Sequence, residues 1–418
     1  MTVAKPSARP AQPAAACRVC GGTVSAFLDL GRQPLSDAFR KPDETAQEFS
    51  FPLVVGNCRD CSMTQLLHEV PRERMFHAEY PYRSSGSTTM TAHFTAVAER
   101  FLAHELGGAD PFIVEIGSND GVMLRTVAAA GVRHLGVDPS SGVGLTAQHG
   151  GVRVRDDFFQ ESTARDIAAT EGRADVIYAA NTFCHIPYVD SIFAGIDALL
   201  RPDGIFVFED PYIGDILDRR SFDQIYDEHF YFFSATSVRA MARNFGFELV
   251  DVERLEVHGG EVRYTLARPG RRRADARVAA LLDAEAHRGL AGPEPYERFA
   301  REVYAIREDL RTLLTGLREQ GVRVVGYGAT AKSATVNNFC GIGPDLVETV
   351  YDTTPEKQGR LTPGTHIPVA PMAGFRADPA PYALLYAWNH ETEILAKESA
   401  FREAGGRWIR YVPEVRVD

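Results

Sequence analysis

No stretch of about 18 consecutive apolar residues occurs in the 418-residue chain, so a membrane-spanning helix is not expected. Positive charge is short: 45 Lys and Arg against 56 Asp and Glu give a formal net charge of −11. A nucleic-acid substrate would favour a basic face, so neither DNA nor RNA is an expected partner. Residues 1–16, rich in Ala and Pro, lack the hydrophobic segment of a signal peptide and read as a disordered tail. The rest has the composition of an ordinary soluble globular protein, 44% apolar and 24% charged. Its length suits roughly two to four domains.

Cysteine is scarce too, yet four of the six are grouped as Cys17-Arg-Val-Cys20 and Cys58-Arg-Asp-Cys61, with 37 residues between the pairs. Two facing Cys-x2-Cys turns supply four thiolates in the tetrahedral geometry of a structural zinc site. Two disulfides or a redox Cys-x-x-Cys are the alternatives, and neither a secretory signal nor a thioredoxin-like context accompanies them. Short strands are expected at residues 26–35, 51–55 and 63–67, around a core too small to stand without metal. Cys184 and Cys340 read as small buried hydrophobes. The connector that follows, residues 76–87, is rich in hydroxyl groups and suits either a surface loop or an active-site loop.

The stretch 111–138 organises the remainder. An apolar run ending in Glu115 is broken by the turn Gly117-Ser-Asn119-Asp-Gly121, which opens a helix, and a second strand ends in Asp138, 23 positions after Glu115. Backbone N–H groups at such a turn, with a carboxylate on the second strand, hold the ribose and polar end of a nucleotide-like ligand. The pattern fits the S-adenosylmethionine (SAM) loop better than Gly-x-Gly-x-x-Gly, and Asn119 enters left-handed conformations cheaply where a glycine is usual. A third strand closes on Asp157 and Phe158, suited to the adenine amino group and ring face, and a fourth closes on Asn181. Strands and helices alternate with short Gly/Pro turns, the pattern of a parallel sheet. A sugar-nucleotide or NAD Rossmann domain with a drifted loop is the competing reading.

After the fifth strand comes Tyr226-Asp227-Glu228-His229, set among phenylalanines. Carboxylates, a histidine and a tyrosine in an apolar setting acquire perturbed pKa values, and a histidine so placed suits a general base. A solvated turn beside an aromatic core is the alternative. Further on, Gly326-Tyr327-Gly328-Ala-Thr-Ala331 matches the dinucleotide fingerprint, and the helix start with Lys332 and Ser333 equally suits the pyrophosphate of a sugar nucleotide. A repeat kept for packing alone is the third option.

In their order, the Cys-x2-Cys pairs, the Tyr80 loop, Glu115-Ile-Gly-Ser-Asn-Asp-Gly121, Asn181-x3-His185 and Tyr226-x-Glu228-His229 resemble the bacterial sugar C-methyltransferases. The likeness is greatest to the C-3 methyltransferases of tetronitrose-, vancosamine- and mycarose-type sugars. It implies an α/β fold: a class I SAM methyltransferase Rossmann-like core (76–250), an N-terminal zinc module (17–75) and a C-terminal Rossmann-like domain (251–418). It further implies His229 as base, with Glu228, Tyr226, Tyr80 and His185 around the reacting sugar, and zinc on Cys17, Cys20, Cys58 and Cys61. SAM is assigned to Glu115, Gly117, Asn119, Gly121, Asp138, Asp157, Phe158 and Asn181, and the sugar nucleotide to Tyr82, Tyr327, Lys332 and Ser333. The implied partner is a dTDP-4-keto-deoxysugar in antibiotic deoxysugar biosynthesis, with 3-amino and 3-hydroxyl forms both compatible and the 3-amino form favoured. A cytoplasmic monomer is expected. An NAD-dependent sugar-nucleotide oxidoreductase or epimerase and a non-catalytic zinc-stabilised scaffold stand as alternatives.

Overall fold

The structure is a computed structural model that describes residues 15–77, 80 and 82–418. Three sheets make up its frame. The first is antiparallel, in the order Ala15–Ala16, Thr23–Pro34, Ser50–Cys58, Thr64–Leu66 and Tyr231–Phe232. Residues 1–14 of the expected tail lie outside the described residues, whereas Ala15 and Ala16 pair with Val24 and Thr23 and so belong to the module, not to a disordered tail. At the ends of these strands and in the turns between them, the thiols of Cys17, Cys20, Cys58 and Cys61 lie within 4.8 Å of one another. The Sγ atoms of Cys17 and Cys61, and those of Cys20 and Cys58, are 3.6 Å apart. A tetrahedron with zinc–sulfur bonds of about 2.3 Å has edges of about 3.8 Å, so the thiols fit the ion.

The second sheet is the body of the molecule. Its order is Glu248–Leu255, Glu261–Ala267, Leu200–Pro211, Ala174–Ala180, Phe112–Ile116, Arg133–Val137 and Val154–Arg155. Five strands are parallel, and the hairpin of the first two pairs antiparallel against Leu200–Pro211. The hairpin lies across the expected boundary at residue 251. From residue 251 on it is expected in the C-terminal domain, and pairing of Glu261–Ala267 with residues 205–211 makes it the edge of the central sheet. A chain of aromatic contacts through Phe183, Phe206, Phe208, Phe233 and Tyr264 packs beneath it. Each fully buried ring of this kind is worth about 2 to 3 kcal/mol of apolar burial.

The third sheet has the order Val369–Pro371, Val350–Asp352, Val324–Tyr327, Tyr382–Leu385, Arg407–Arg410 and Arg416–Val417, parallel except at its last pair. The 26-residue helix Glu294–Glu319 leads into it, burying Val303, Ile306, Leu310, Leu314 and Leu317 along one stripe as the helical period demands. The same helix meets the first sheet, where Tyr296 packs on Phe27 and the Tyr304 hydroxyl donates to the Asp29 carbonyl at 2.9 Å. Among the described residues, no helix is long and apolar enough to cross a membrane.

The first sheet places the metal thiols and an edge strand of the central chain in one small unit, so metal loss reaches further than the module itself. We expect metal analysis to give one zinc per chain and Cys58→Ser to yield insoluble or misfolded protein. A fully folded, metal-free protein by circular dichroism and metal analysis would overturn this assignment.

Candidate active site

The carboxyl ends of the parallel strands of the second and third sheets open into one cavity of roughly 630 Å³. The first sheet's unit closes it from the side through Asp37, Arg72 and Phe76.

At one end lies the glycine turn. Gly117 takes φ +70°, and a Cβ there would stand 2.2 Å from the Thr182 hydroxyl, so glycine is required twice over. Asn119 follows in the left-handed region at φ 49°. The Asp138 carboxylate accepts the Asn119 and Ser140 N–H groups, both at 2.8 Å, and burial pushes its pKa up. A carboxylate has about four acceptor positions, so two such bonds leave room for ribose hydroxyls. Gly117, Asn119, Asp138, Phe158 and Asn181 line the cavity. These groups fit an adenosyl ligand. The 82–87 connector packs directly on the turn: the Ser84 N–H donates to Asn119 and the Ser85 N–H to Asp120.

Three residues expected at this end are directed elsewhere. Glu115 is buried at the strand end, off the cavity wall, with its pKa raised well above the usual carboxylate range by burial and then by Asp138. Gly121 serves the turn, since a Cβ there would meet Ala147 at 2.9 Å. Asp157 accepts the Thr163 hydroxyl at 3.0 Å. The acidic side chain that follows the third strand thus anchors a helix, and Phe158 is the residue of that pair that reaches the cavity.

In the middle stands the polar cluster. His229 Nδ1 lies 2.9 Å from the Gln224 carbonyl, which accepts and cannot donate, so Nδ1 carries the proton. Nε2 then presents its lone pair, and the Tyr226 hydroxyl, 2.8 Å away, donates to it. His185 stacks on His229 and on Phe76, at ring separations of 5.4 Å in both cases, and its buried Nε2 has no hydrogen-bond partner among the described residues. Burial alone lowers His185 to about 3. Burial, then the His185 ring, holds His229 well below 6.5. Tyr80 donates to Glu228 at 3.1 Å, and burial raises the pKa of Tyr80, Tyr226 and Glu228 well above their ordinary values. For Glu228 the next causes are Asp37 and Asp227. Asp227 points away from the cavity and accepts the Ser36 N–H at 3.0 Å.

At the far end are residues 329–332 and 352–357 together with His390. Lys332 reaches the cavity, with its ammonium 4.8 Å above the Trp388 ring. Tyr327 and Ser333 do not, contrary to expectation. The Tyr327 hydroxyl donates to Glu398 at 3.0 Å in the core of the third sheet, and Ser333 is used at its helix start, donating its hydroxyl to the Thr330 carbonyl at 2.6 Å. Tyr82 lies on the wall, 43% exposed. The polar wall residues that sequence reasoning missed include His258, His390, Asp37 and Lys357. The last two form an ion pair at 3.0 Å, with Lys357 also donating to the Ala329 carbonyl. None sits in a local motif. His258 had one faint signal, the Gly259-Gly260 pair that turns the hairpin.

Comparison with known proteins returns matches to a zinc-binding domain over residues 17–76, a methyltransferase domain over 91–252 and a C-methyltransferase C-terminal domain over 256–413. The C-methyltransferase NovU of Streptomyces niveus is 34% identical over 413 residues, spanning 97% of each chain. Among solved structures, a SAM-dependent methyltransferase from Anabaena variabilis shares 17% identity over 41% of this chain and 84% of its own, with a TM-score of 0.33. The magnesium protoporphyrin IX methyltransferase ChlM of Synechocystis with bound SAM shares 13% over 43% and 79%, with a TM-score of 0.31.

The hydrogen bonds and burial of the two histidines make a spectroscopic prediction. Nitrogen-15 NMR at pH 6 should show both imidazoles neutral and His229 as the Nδ1–H tautomer, because lowering a histidine pKa keeps the ring uncharged until the pH falls below the lowered value. An imidazolium signal from either ring at pH 6 would contradict the geometry.

Proposed function

The chain belongs to the bacterial sugar C-methyltransferases, and from that premise we propose that it methylates C-3 of a dTDP-4-keto-deoxysugar, 3-amino in type, as a cytoplasmic monomer in antibiotic deoxysugar biosynthesis. The observation that carries this reading is the single cavity that joins the Asn119–Asp138 turn to the His229 cluster. SAM, when bound, supplies an electrophilic methyl group on sulfur.

The residues of the chain account for the rest. A C–H beside a ketone is acidic enough for a positioned base to remove, and C-3 of a 4-keto sugar is such a carbon. His229 takes that proton at Nε2, while its Nδ1–H stays on the Gln224 carbonyl and steadies the imidazolium. As Nε2 takes the proton it releases the Tyr226 hydroxyl, which then donates, together with His185 in its Nε2–H tautomer, to the enolate oxygen that develops at C-4. Burial holds the Tyr226 pKa well above 10, which favours the phenol as donor over a tyrosinate base. Glu228 and Tyr80 bond to each other and shape the sugar pocket. Lys332, with His258 and His390 on the same wall, faces the diphosphate, and residues 352–357 face the nucleoside. Zinc takes no part in the chemistry and holds the module that closes the cavity.

Two experiments test this reading. His229→Asn should preserve sugar-nucleotide binding and lower the rate ~100- to 10,000-fold. NMR of C-3 proton exchange with deuterated solvent, with S-adenosylhomocysteine in the cofactor site, should show exchange by the wild type above the non-enzymatic background and none by the variant. Equal exchange by both would remove His229 as the base. Lys332→Ala should raise the sugar-nucleotide KM and leave the calorimetric affinity for S-adenosylhomocysteine unchanged, and a change in both would contradict the division of the cavity.

A further inference from the structure

The zinc module enters the cavity at the cofactor end as well as beside the catalytic cluster. Arg72 opens the short helix Arg72–Met75, which follows the last strand the module contributes to its own sheet. Its guanidinium carbon lies 4.1 Å from the centre of the Phe158 ring and 4.7 Å from that of Tyr188. Arg72, Phe158 and Tyr188 all line the cavity, as do Asp138, Pro139 and Ser140 after the second strand. Nε is 3.1 Å from Glu73, a neighbour in sequence whose side chain is 65% exposed. An ion pair that exposed holds a long side chain weakly, so the aromatic faces fix the guanidinium. A guanidinium is planar and weakly hydrated and stacks on aromatic bases, none of which a lysine ammonium does as well.

We propose that Arg72 is a cofactor-binding residue supplied by the zinc module, its guanidinium forming a wall of the adenosyl pocket against the adenine of SAM. The proposal rests on the assignment of the Asn119–Asp138 turn and Phe158 to SAM. It gives the module a second task. Besides bracing the catalytic segment, it completes the cofactor pocket, and the methyltransferase unit by itself presents that pocket with one side open.

The test is calorimetry on the zinc-loaded full chain with two probes. S-Adenosylhomocysteine carries both ends of the cofactor, and 5′-methylthioadenosine carries the adenosyl end without the amino acid. Arg72→Ala should weaken both by the same factor, on the order of tenfold, with zinc content and the sugar-nucleotide KM unchanged. Arg72→Lys should recover little, since charge is kept and the stacking plane is lost. Unchanged affinity for both probes in Arg72→Ala overturns the proposal. So does a loss confined to S-adenosylhomocysteine, which would place the arginine at the amino-acid end, or full recovery by lysine. If the wild type binds neither probe, the SAM assignment itself fails, which is distinct from a wild type that binds both and an arginine variant that binds them equally well.

Discussion

Two residues of backbone pairing hold the active site together. Tyr231 and Phe232 add to the zinc module's sheet opposite Gln65 and Thr64, and the Leu66 N–H bonds to the Phe230 carbonyl at 2.9 Å. The residues that precede them are Tyr226 to His229. A zinc-stabilised sheet therefore sets the position of a segment more than 160 residues away in sequence, and Ser36 repeats the restraint by donating its N–H to Asp227. Residues 226–229 form a turn, closed by the His229 N–H on the Tyr226 carbonyl at 3.2 Å. Asp227 is spent on the module, which leaves Glu228 and His229 for the cavity. The ladder of Arg40 with Leu361, N–H to carbonyl in both directions, then joins the module to the third sheet.

That enclosure explains the electrostatics. Around the cluster, desolvation is the first cause of every shift: it drives carboxyls and phenols up and imidazoles down, so each group tends to its neutral form. A neutral histidine is a base and a neutral tyrosine is a donor, which is the division of labour that proton abstraction next to a ketone needs. The cost falls on stability. Asp227, raised to about 7, binds a proton in the folded state that the unfolded chain has already released. The sign is negative: stability falls as pH rises from the ordinary aspartate value toward about 7. Glu209 is treated in the opposite way. Burial would raise it, but His93 and Arg263, each 2.6 Å from one of its oxygens, hold its pKa low, and it remains a fixed charge below the site.

Much of this was readable in the chain. The left-handed Asn119, the strand–turn–helix rhythm and the stripe on the helix Glu294–Glu319 all follow from interactions between residues a few positions apart. The same rhythm misled at Tyr327 and Ser333. A strand and a helix start match the fingerprint whichever way the side chains face, and here they face Glu398 and Thr330. Asp157 failed for a related reason, because an acid after a strand serves a helix as readily as a ligand. The hairpin of Glu248–Leu255 and Glu261–Ala267 is legible as two strands, but its pairing with the central sheet is not. Alternation in sequence identifies a strand, while its partner is chosen by distant hydrogen bonding.

The sequence by itself determined the chemistry that lies close together along the chain: two thiol pairs, a glycine turn with its carboxylate, and a tyrosine, a glutamate and a histidine in four residues. Those are short-range patterns, set by backbone conformation and ligand spacing. Tertiary structure alone decided which groups share a cavity, bringing Arg72 to Phe158, Asp37 to Lys357 and His185 to His229. It also decided which of them are charged. Burial depends on what the whole chain packs around a group, and no local pattern carries that quantity.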